Sequence, residues 1–291
     1  MKEALQVIDD LMAPRDIVLG RSTATGILSL DLSLGGSLPE GSVEIYGEAS
    51  TGKTSLLCCI LAQAQRDGFQ VALCPSEYLD LCHMEDLGVD LDALVLLTAS
   101  GAEPAFSAGL DLIKEPRTVL AFDSATAWRP THDEPGRWLA TVSRFLDDVT
   151  GSLGRESCMV MVNQVRVPRS VDPDRFFAGS TDSSARKIAN RFAARMELFR
   201  TAVSDDRYTM EVNIVSNSLA CPCTISELPF VKSTGVDRGL DLVRSALKPN
   251  GPWYNFDGTV IQGELAAAAF LEKNPEVFEN LRLSIMSRHG Y

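Results

Sequence analysis

Eight consecutive residues, Gly47-Glu48-Ala49-Ser50-Thr51-Gly52-Lys53-Thr54, carry the spacing G-x-x-x-x-G-K-[ST]. Glycines in such a loop let the backbone fold tightly, so that successive N–H groups turn toward one point and bind an anion. The lysine adds a mobile positive charge suited to the β- and γ-phosphates of a nucleotide, and the hydroxyl that follows suits Mg²⁺. The motif has force only between a strand and a helix. Val43-Glu44-Ile45-Tyr46 before it reads as a short buried strand, and Ser55 to Arg66 after it reads as a helix ended by Gly68. The sequence therefore predicts a phosphate-binding loop from Gly47 to Ser55 around a nucleotide, with Lys53 on the phosphates and Thr54 on the metal.

Three more apolar runs each end in polar residues. Gln70 to Cys74 leads into Pro75-Ser76-Glu77, Thr118 to Phe122 into Asp123-Ser124, and Cys158 to Val162 into Asn163-Gln164. Short, nearly continuous apolar strands mark a parallel sheet covered on both faces, and the carboxyl ends of such strands border the ligand crevice. Asp123 is then expected in the Mg²⁺ shell and Gln164 beside the γ-phosphate. Glu77 is placed to orient or deprotonate the water that attacks that phosphate; the alternative is an ordinary solvated loop acid for Glu77 and, for Gln164, a residue with no role at the phosphate. Lys53, Glu77 and Gln164 are thus the catalytic candidates.

The elements that hold these residues must come from 291 residues of which 45% are hydrophobic, enough for a real core. Charged residues make up 23% and no apolar run is long enough to span a bilayer, so the expected class is a soluble, globular protein without membrane partners. Met1-Lys2-Glu3 and the acids Asp9 and Asp10 are unlike a secretory signal, which makes cytoplasm the expected compartment. Seven cysteines, mostly within apolar stretches, suggest buried thiols and no disulfide framework; Cys221-Pro222-Cys223 lacks zinc-site spacing.

A net charge of −12 excludes a protein that coats nucleic acid with its whole surface. Between residues 165 and 200, however, eight basic residues face four acidic ones, a local balance of +4. The first part, Val167 to Ser184, mixes prolines, serines and glycine with Arg169, Arg175, Phe176 and Phe177. A loop of that kind, with Arg166 at its start, can pair guanidinium groups with phosphates and press an aromatic ring on bases. The alternative is a solvated loop whose phenylalanines pack on the core. Arg129 to Trp138 carries a weaker version, in which Arg129 and Arg137 are offset by Asp133 and Glu134.

The remaining pattern is organisational. Residues 4–12 place Leu5, Ile8, Leu11 and Met12 on one helical face, too short to stand alone, and Pro14 stops the helix. Gly26 to Gly36 is apolar and glycine-bounded. From Ala193 to Phe230 the pattern turns to alternating strands, with Ser204-Asp205-Asp206 as a hairpin loop. Gly251 to Met286 reads as a small unit: an aromatic cluster at Trp253, Tyr254 and Phe256, an alanine-rich helix around Leu265 to Leu271, and a last helix opened by Pro275.

These residues resemble the bacterial RecA recombinases, phage-encoded relatives included. The matching runs are collinear over nearly the whole chain: Thr25 to Asp31, Val43 through the phosphate loop, Leu87-Gly88-Val89-Asp90, Phe122-Asp123-Ser124, Val162 to Arg166, Gly251-Pro252-Trp253-Tyr254, Ala269-Phe270-Leu271 and Asn274-Pro275-Glu276. The resemblance implies an α/β fold: a RecA-like P-loop ATPase core at 23–248 with a mostly parallel sheet, a short N-terminal helix and linker at 1–22 that packs on the adjacent protomer, and an abbreviated C-terminal unit at 249–291. It implies a DNA-dependent ATPase that uses ATP and Mg²⁺, forms helical filaments on single-stranded DNA and pairs that strand with homologous duplex DNA in recombination and repair. Single-strand-binding protein is a further expected partner.

By matching positions, Glu77 resembles the family's catalytic glutamate, Asp123 its Mg²⁺-shell aspartate, Gln164 its γ-phosphate switch and Asp80 the acid near the adenine. Residues 129–138 and 165–184 resemble its two DNA loops, which assigns Arg129, Arg137, Arg166, Arg169, Arg175, Phe176 and Phe177 to DNA. The chain also departs from the pattern. Ser216 and Ser218 stand where bacterial members carry two lysines that reach the neighbour's γ-phosphate. Hydrolysis is then either slow or served by a bound K⁺. The first DNA loop is shortened, the match just after Glu77 needs a deletion, and Cys82 and His83 replace an adenine-stacking tyrosine. The alternative function is an ATP-binding paralogue that regulates or caps another recombinase's filament.

Overall fold

The computed structural model describes residues 20–76, 78–99, 101–124, 137–164, 188–221, 224–246, 252–256 and 258–291. Strands β1 (Gly41–Gly47), β2 (Gln70–Pro75), β3 (Leu94–Leu96), β4 (Thr118–Asp123), β5 (Cys158–Gln164), β6 (Ala194–Thr201), β7 (Arg207–Asn217), β8 (Thr224–Val231) and β9 (Gly235–Val236) form one sheet in the order β3-β2-β4-β5-β1-β6-β7-β8-β9. Pairing is parallel from β3 through β6 and antiparallel from β6 through β9. The four strands read from the sequence around the phosphate loop thus lie side by side, and an antiparallel flank follows the Ser204-Asp205-Asp206 turn as expected.

Alternation along the central strands separates two cores. Val71, Leu73, Val119, Ala121, Val160 and Val162 face helix α2 (Lys53–Arg66), together with Leu56, Ile60 and Leu61 from that helix. Ala72, Cys74, Leu120, Phe122, Met159 and Met161 face the opposite way, onto α4 (Ala102–Ile113) and α5 (Arg137–Ser152), after α3 (Leu81–Asp86) in the chain. Three aromatics fix that second layer. Phe106 and Phe145 stack at 4.1 Å, and Phe122 meets each edge-on at 5.5 and 5.4 Å.

The arginine at 137, expected in an irregular segment, instead opens helix α5. The helix is amphipathic: Val142, Phe145, Leu146 and Val149 recur at helical spacing and are buried, which holds the segment on the sheet. The glycine-bounded run before the phosphate loop contains a helix, α1 (Leu28–Leu34), ended by Gly35 at φ 87°. A third core gathers Leu28, Leu240, Leu242, Val243, Phe256, Ala267, Leu271 and Ile285. It joins α1 and α6 (Arg238–Ala246) to the hairpin β10 (Trp253–Phe256) and β11 (Thr259–Gln262) and to helices α7 (Glu264–Lys273) and α8 (Pro275–Arg288). Among the described residues no helix is long and apolar enough to cross a membrane.

Candidate nucleotide site

Strand β1 delivers the chain into the loop from Gly47 to Thr54, and α2 begins at Lys53. Two glycines are required by geometry. A Cβ on Gly47 would lie 2.5 Å from the Leu198 carbonyl oxygen, and Gly52 adopts φ 94° with the Tyr208 hydroxyl and Met210 Cε each 2.6 Å from where its Cβ would sit. Gly52 caps α2 without a side-chain hydrogen bond, so the first N–H groups of the helix remain available to an anion.

Lys53 folds back over the loop, its Nζ donating to the carbonyls of Glu48 at 2.6 Å and Gly47 at 3.1 Å. Burial pushes its pKa down, and the Asp123 carboxylate pulls it back up. The Thr54 hydroxyl donates to Asp123 Oδ2 at 2.7 Å, joining the loop to the end of β4. These are two hard oxygen donors side by side, the chemistry Mg²⁺ selects, so the residues present fit that ion. Ser76 N donates to the Asp123 carbonyl and Ser124 N to Ser76 Oγ, both at 2.7 Å, which ties the end of β2 to the end of β4.

A cleft of about 410 Å³ opens above these groups. Ala49, Ser50, Gly52, Lys53, Thr54, Ser55, Asp123, Ser124 and Gln164 line one side, and Arg200, Tyr208, Phe230 and Lys232 the other. The first set was legible in the motifs. The second was not, because it comes from the antiparallel flank and reaches the loop only through sheet register. An arginine near the end of β6 is the one sequence trace of it.

Asp80, expected near the adenine, lies apart from these groups. It caps α3, accepting from His83 N at 3.1 Å, and is not among the cleft-lining residues. Ser55 Oγ lies 3.4 Å from His83 Nε2. Glu77, Arg129, Arg166, Arg169, Arg175, Phe176 and Phe177 lie outside the described residues, as does the Arg137 side chain. Part of the basic balance in 165–200 is used in folding: Arg191 pairs with Asp147, and Arg195 with the buried Glu44.

A family model for the RecA N-terminal domain matches residues 15–237. The chain belongs to the RecA family. Protein RecA of Cereibacter sphaeroides is 30% identical over 295 residues, 92% of this chain and 84% of that protein. Protein RecA of Azospirillum lipoferum is 30% identical over 306 residues, 96% of this chain and 84% of its own length. Protein RecA of Allorhizobium ampelinum reaches 31% over 306 residues, 96% and 83%. RecA membership accords with the α/β architecture, whose sheet is mostly parallel and carries a phosphate loop at the carboxyl end of β1.

Proposed function

We propose that the chain is an ATP-dependent DNA recombinase that assembles into helical filaments on single-stranded DNA, pairs it with a homologous duplex and serves recombination and repair. The observation that carries this reading is the convergence of Lys53, the Thr54–Asp123 pair and Gln164 on one cleft in a RecA-family chain. Lys53 would exchange its loop carbonyls for phosphate oxygens when ATP enters. Mg²⁺, held by Thr54 and Asp123, would neutralise charge on the phosphoryl oxygens. Glu77 would act on the attacking water, so Glu77→Gln should cut turnover by roughly 10² or more with ATP affinity nearly intact. Gln164 would report the γ-phosphate to residues 165–184, whose Arg166, Arg169, Arg175, Phe176 and Phe177 would hold DNA together with Arg129 and Arg137. In this reading 1–22 packs on the neighbouring protomer, 23–248 is the motor and 249–291 a small appended unit; single-strand-binding protein is a partner and the cytoplasm the site of action.

Electron microscopy with single-stranded DNA and a non-hydrolysable ATP analogue tests the assembly, and ATPase assays with and without DNA test the coupling. Filaments and DNA-stimulated turnover are expected; their joint absence would sink the reading. Ser216 and Ser218 support a second one, a regulatory paralogue with inefficient hydrolysis, since neither side chain is a cation. Between the two stands bound K⁺, for which hydroxyls, carbonyls and phosphate offer hard oxygens. Turnover should then rise with K⁺ at fixed ionic strength. Equal turnover in K⁺ and in a large organic cation favours the regulator.

A further inference from the structure

Strand β1 has two neighbours in the sheet, and each carries a cleft-lining residue at or next to its end. On one flank Gly47 pairs with Gln164 of β5; on the other it pairs with Leu198 of β6, and Arg200 follows two residues later on the same face as Leu198. The Arg200 guanidinium carbon lies 4.2 Å from the centre of the Tyr208 ring. Tyr208 is itself stacked on Phe230 at 4.9 Å, and its hydroxyl abuts Gly52 of the phosphate loop. The aromatic pair is therefore a platform that holds the arginine beside the loop.

Arg200 is poorly satisfied there. Its Nη1 donates to the Ser50 carbonyl across a long 3.4 Å, and its Nε is buried without a hydrogen-bond partner. A guanidinium carries five donors in a planar fork, whose natural complement is a pair of phosphate or carboxylate oxygens. The carboxylate that lines the cleft among the described residues, Asp123, already accepts from Thr54. Lys232, also in the lining, donates to the Asp205 carbonyl. Among the described residues the lining thus carries three cations, Lys53, Arg200 and Lys232, against one carboxylate, with an arginine held on an aromatic ring and short of acceptors.

We propose that Arg200 is a second phosphate-binding cation supplied by the same subunit, gripping the nucleotide's phosphate oxygens from the flank of the loop opposite Gln164. This rests on the reading of the cleft as a nucleoside triphosphate site. Lys53 and Arg200 then hold the polyphosphate from two directions, and the Arg200–Tyr208 stack fixes the second without a residue from a neighbouring protomer.

Equilibrium titration of the full chain with Mg-ATP and with inorganic tripolyphosphate tests this, comparing the parent with Lys53→Ala, Arg200→Gln and Arg200→Lys after thermal melts have established folding. Arg200→Gln should weaken both ligands at least tenfold and by similar factors, and Arg200→Lys should recover part of the loss. Tripolyphosphate lacks the base, so a loss confined to ATP would place Arg200 on the base and overturn the proposal. ATP affinity in both Arg200 variants within twofold of the parent, with Lys53→Ala impaired, would also overturn it while leaving the nucleotide site intact. A parent that binds neither ligand, or a Lys53→Ala that binds both unchanged, would overturn the nucleotide reading and this proposal together. If Arg200→Gln does not fold, the conservative Arg200→Lys decides: it should bind more weakly than the parent, and full affinity would reject the proposal.

Discussion

Arg195 donates its Nε hydrogen to Glu44 Oε2 across 2.7 Å, with the two side chains 5% and 0% exposed. The other Glu44 oxygen accepts from Asn163 Nδ2 at 2.6 Å, so one carboxylate in β1 joins the strand before Gln164 to the strand that carries Arg200. Burial pushes the Glu44 pKa up, and Arg195 and Asn163 pull it back. Such a network stabilises little against a well-packed apolar replacement, but breaking it strands a charge. Arg195→Ala or Glu44→Ala should each lower unfolding free energy by about 3 to 5 kcal/mol. The double variant Glu44→Leu, Arg195→Met should recover most of that in urea titrations. A single-alanine cost below about 1 kcal/mol, the range of exposed pairs, would show the pair to be solvated.

Lys53 and the Thr54–Asp123 pair should separate in a metal titration. Lys53→Ala removes a charged contact to phosphate and should cost about 1.5 to 3 kcal/mol of ATP affinity, with or without Mg²⁺. Thr54→Ala and Asp123→Asn should lose only the Mg²⁺-dependent increment, and match the parent once the metal is chelated. Calorimetric titration with and without Mg²⁺ reads both quantities. Losses of equal size in all three variants under chelation would remove the metal assignment from Thr54 and Asp123.

What the sequence made legible follows from how local each signal is. The phosphate loop is contiguous, and β1, β2, β4 and β5 are short, nearly continuous apolar runs, so both could be read residue by residue. Strand β3 has only three residues, Leu94–Leu96, too few for a pattern. Helix α1 has the sequence LSLDLSL, whose alternation is strand-like; it is helical because Asp31 holds Thr25 through two hydrogen bonds and Gly35 ends the turn. The far wall of the cleft needed the β6–β7–β8 register, which no local window contains. The charge count over 165–200 included Arg195, whose partner lies 151 positions away.

The thiols should divide by burial. Burial pushes Cys58 and Cys158 up to about 12 and Cys74 up to about 11, whereas Cys82 and Cys221 are exposed. Since the thiolate is the reactive form, a neutral alkylating reagent at pH 8 should modify Cys82 and Cys221 well before Cys58, Cys74 or Cys158. Mass spectrometry of timed samples gives the order, and denaturant should abolish it. Early modification of Cys158 in the native protein would contradict its placement in the sheet.

Asp31 gives the clearest pH dependence. It is fully buried; that burial raises its pKa from 3.8 to about 7, against the Thr25 hydrogen bonds and the charge of Arg282, which lower it. The folded chain therefore holds this proton more tightly than the unfolded chain. Between pH 3.8 and about 7 the unfolded state has lost the proton while the folded state keeps it, so stability falls as pH rises through that window. Below it the contribution is fully present; above it the carboxylate is ionised in both states and the loss is complete. Three pH units correspond to about 4 kcal/mol. Other carboxylates titrate in the same range with the opposite slope, so the informative quantity is the difference between the parent and Asp31→Asn, which can keep a carbonyl oxygen toward Thr25. Urea unfolding at intervals from pH 4 to 8 should show the parent losing stability relative to the variant up to about pH 7 and then running parallel. A difference that stays flat across the series would mean that Asp31 is ionised in the folded protein throughout, held by Thr25 and Arg282 against the cost of its burial.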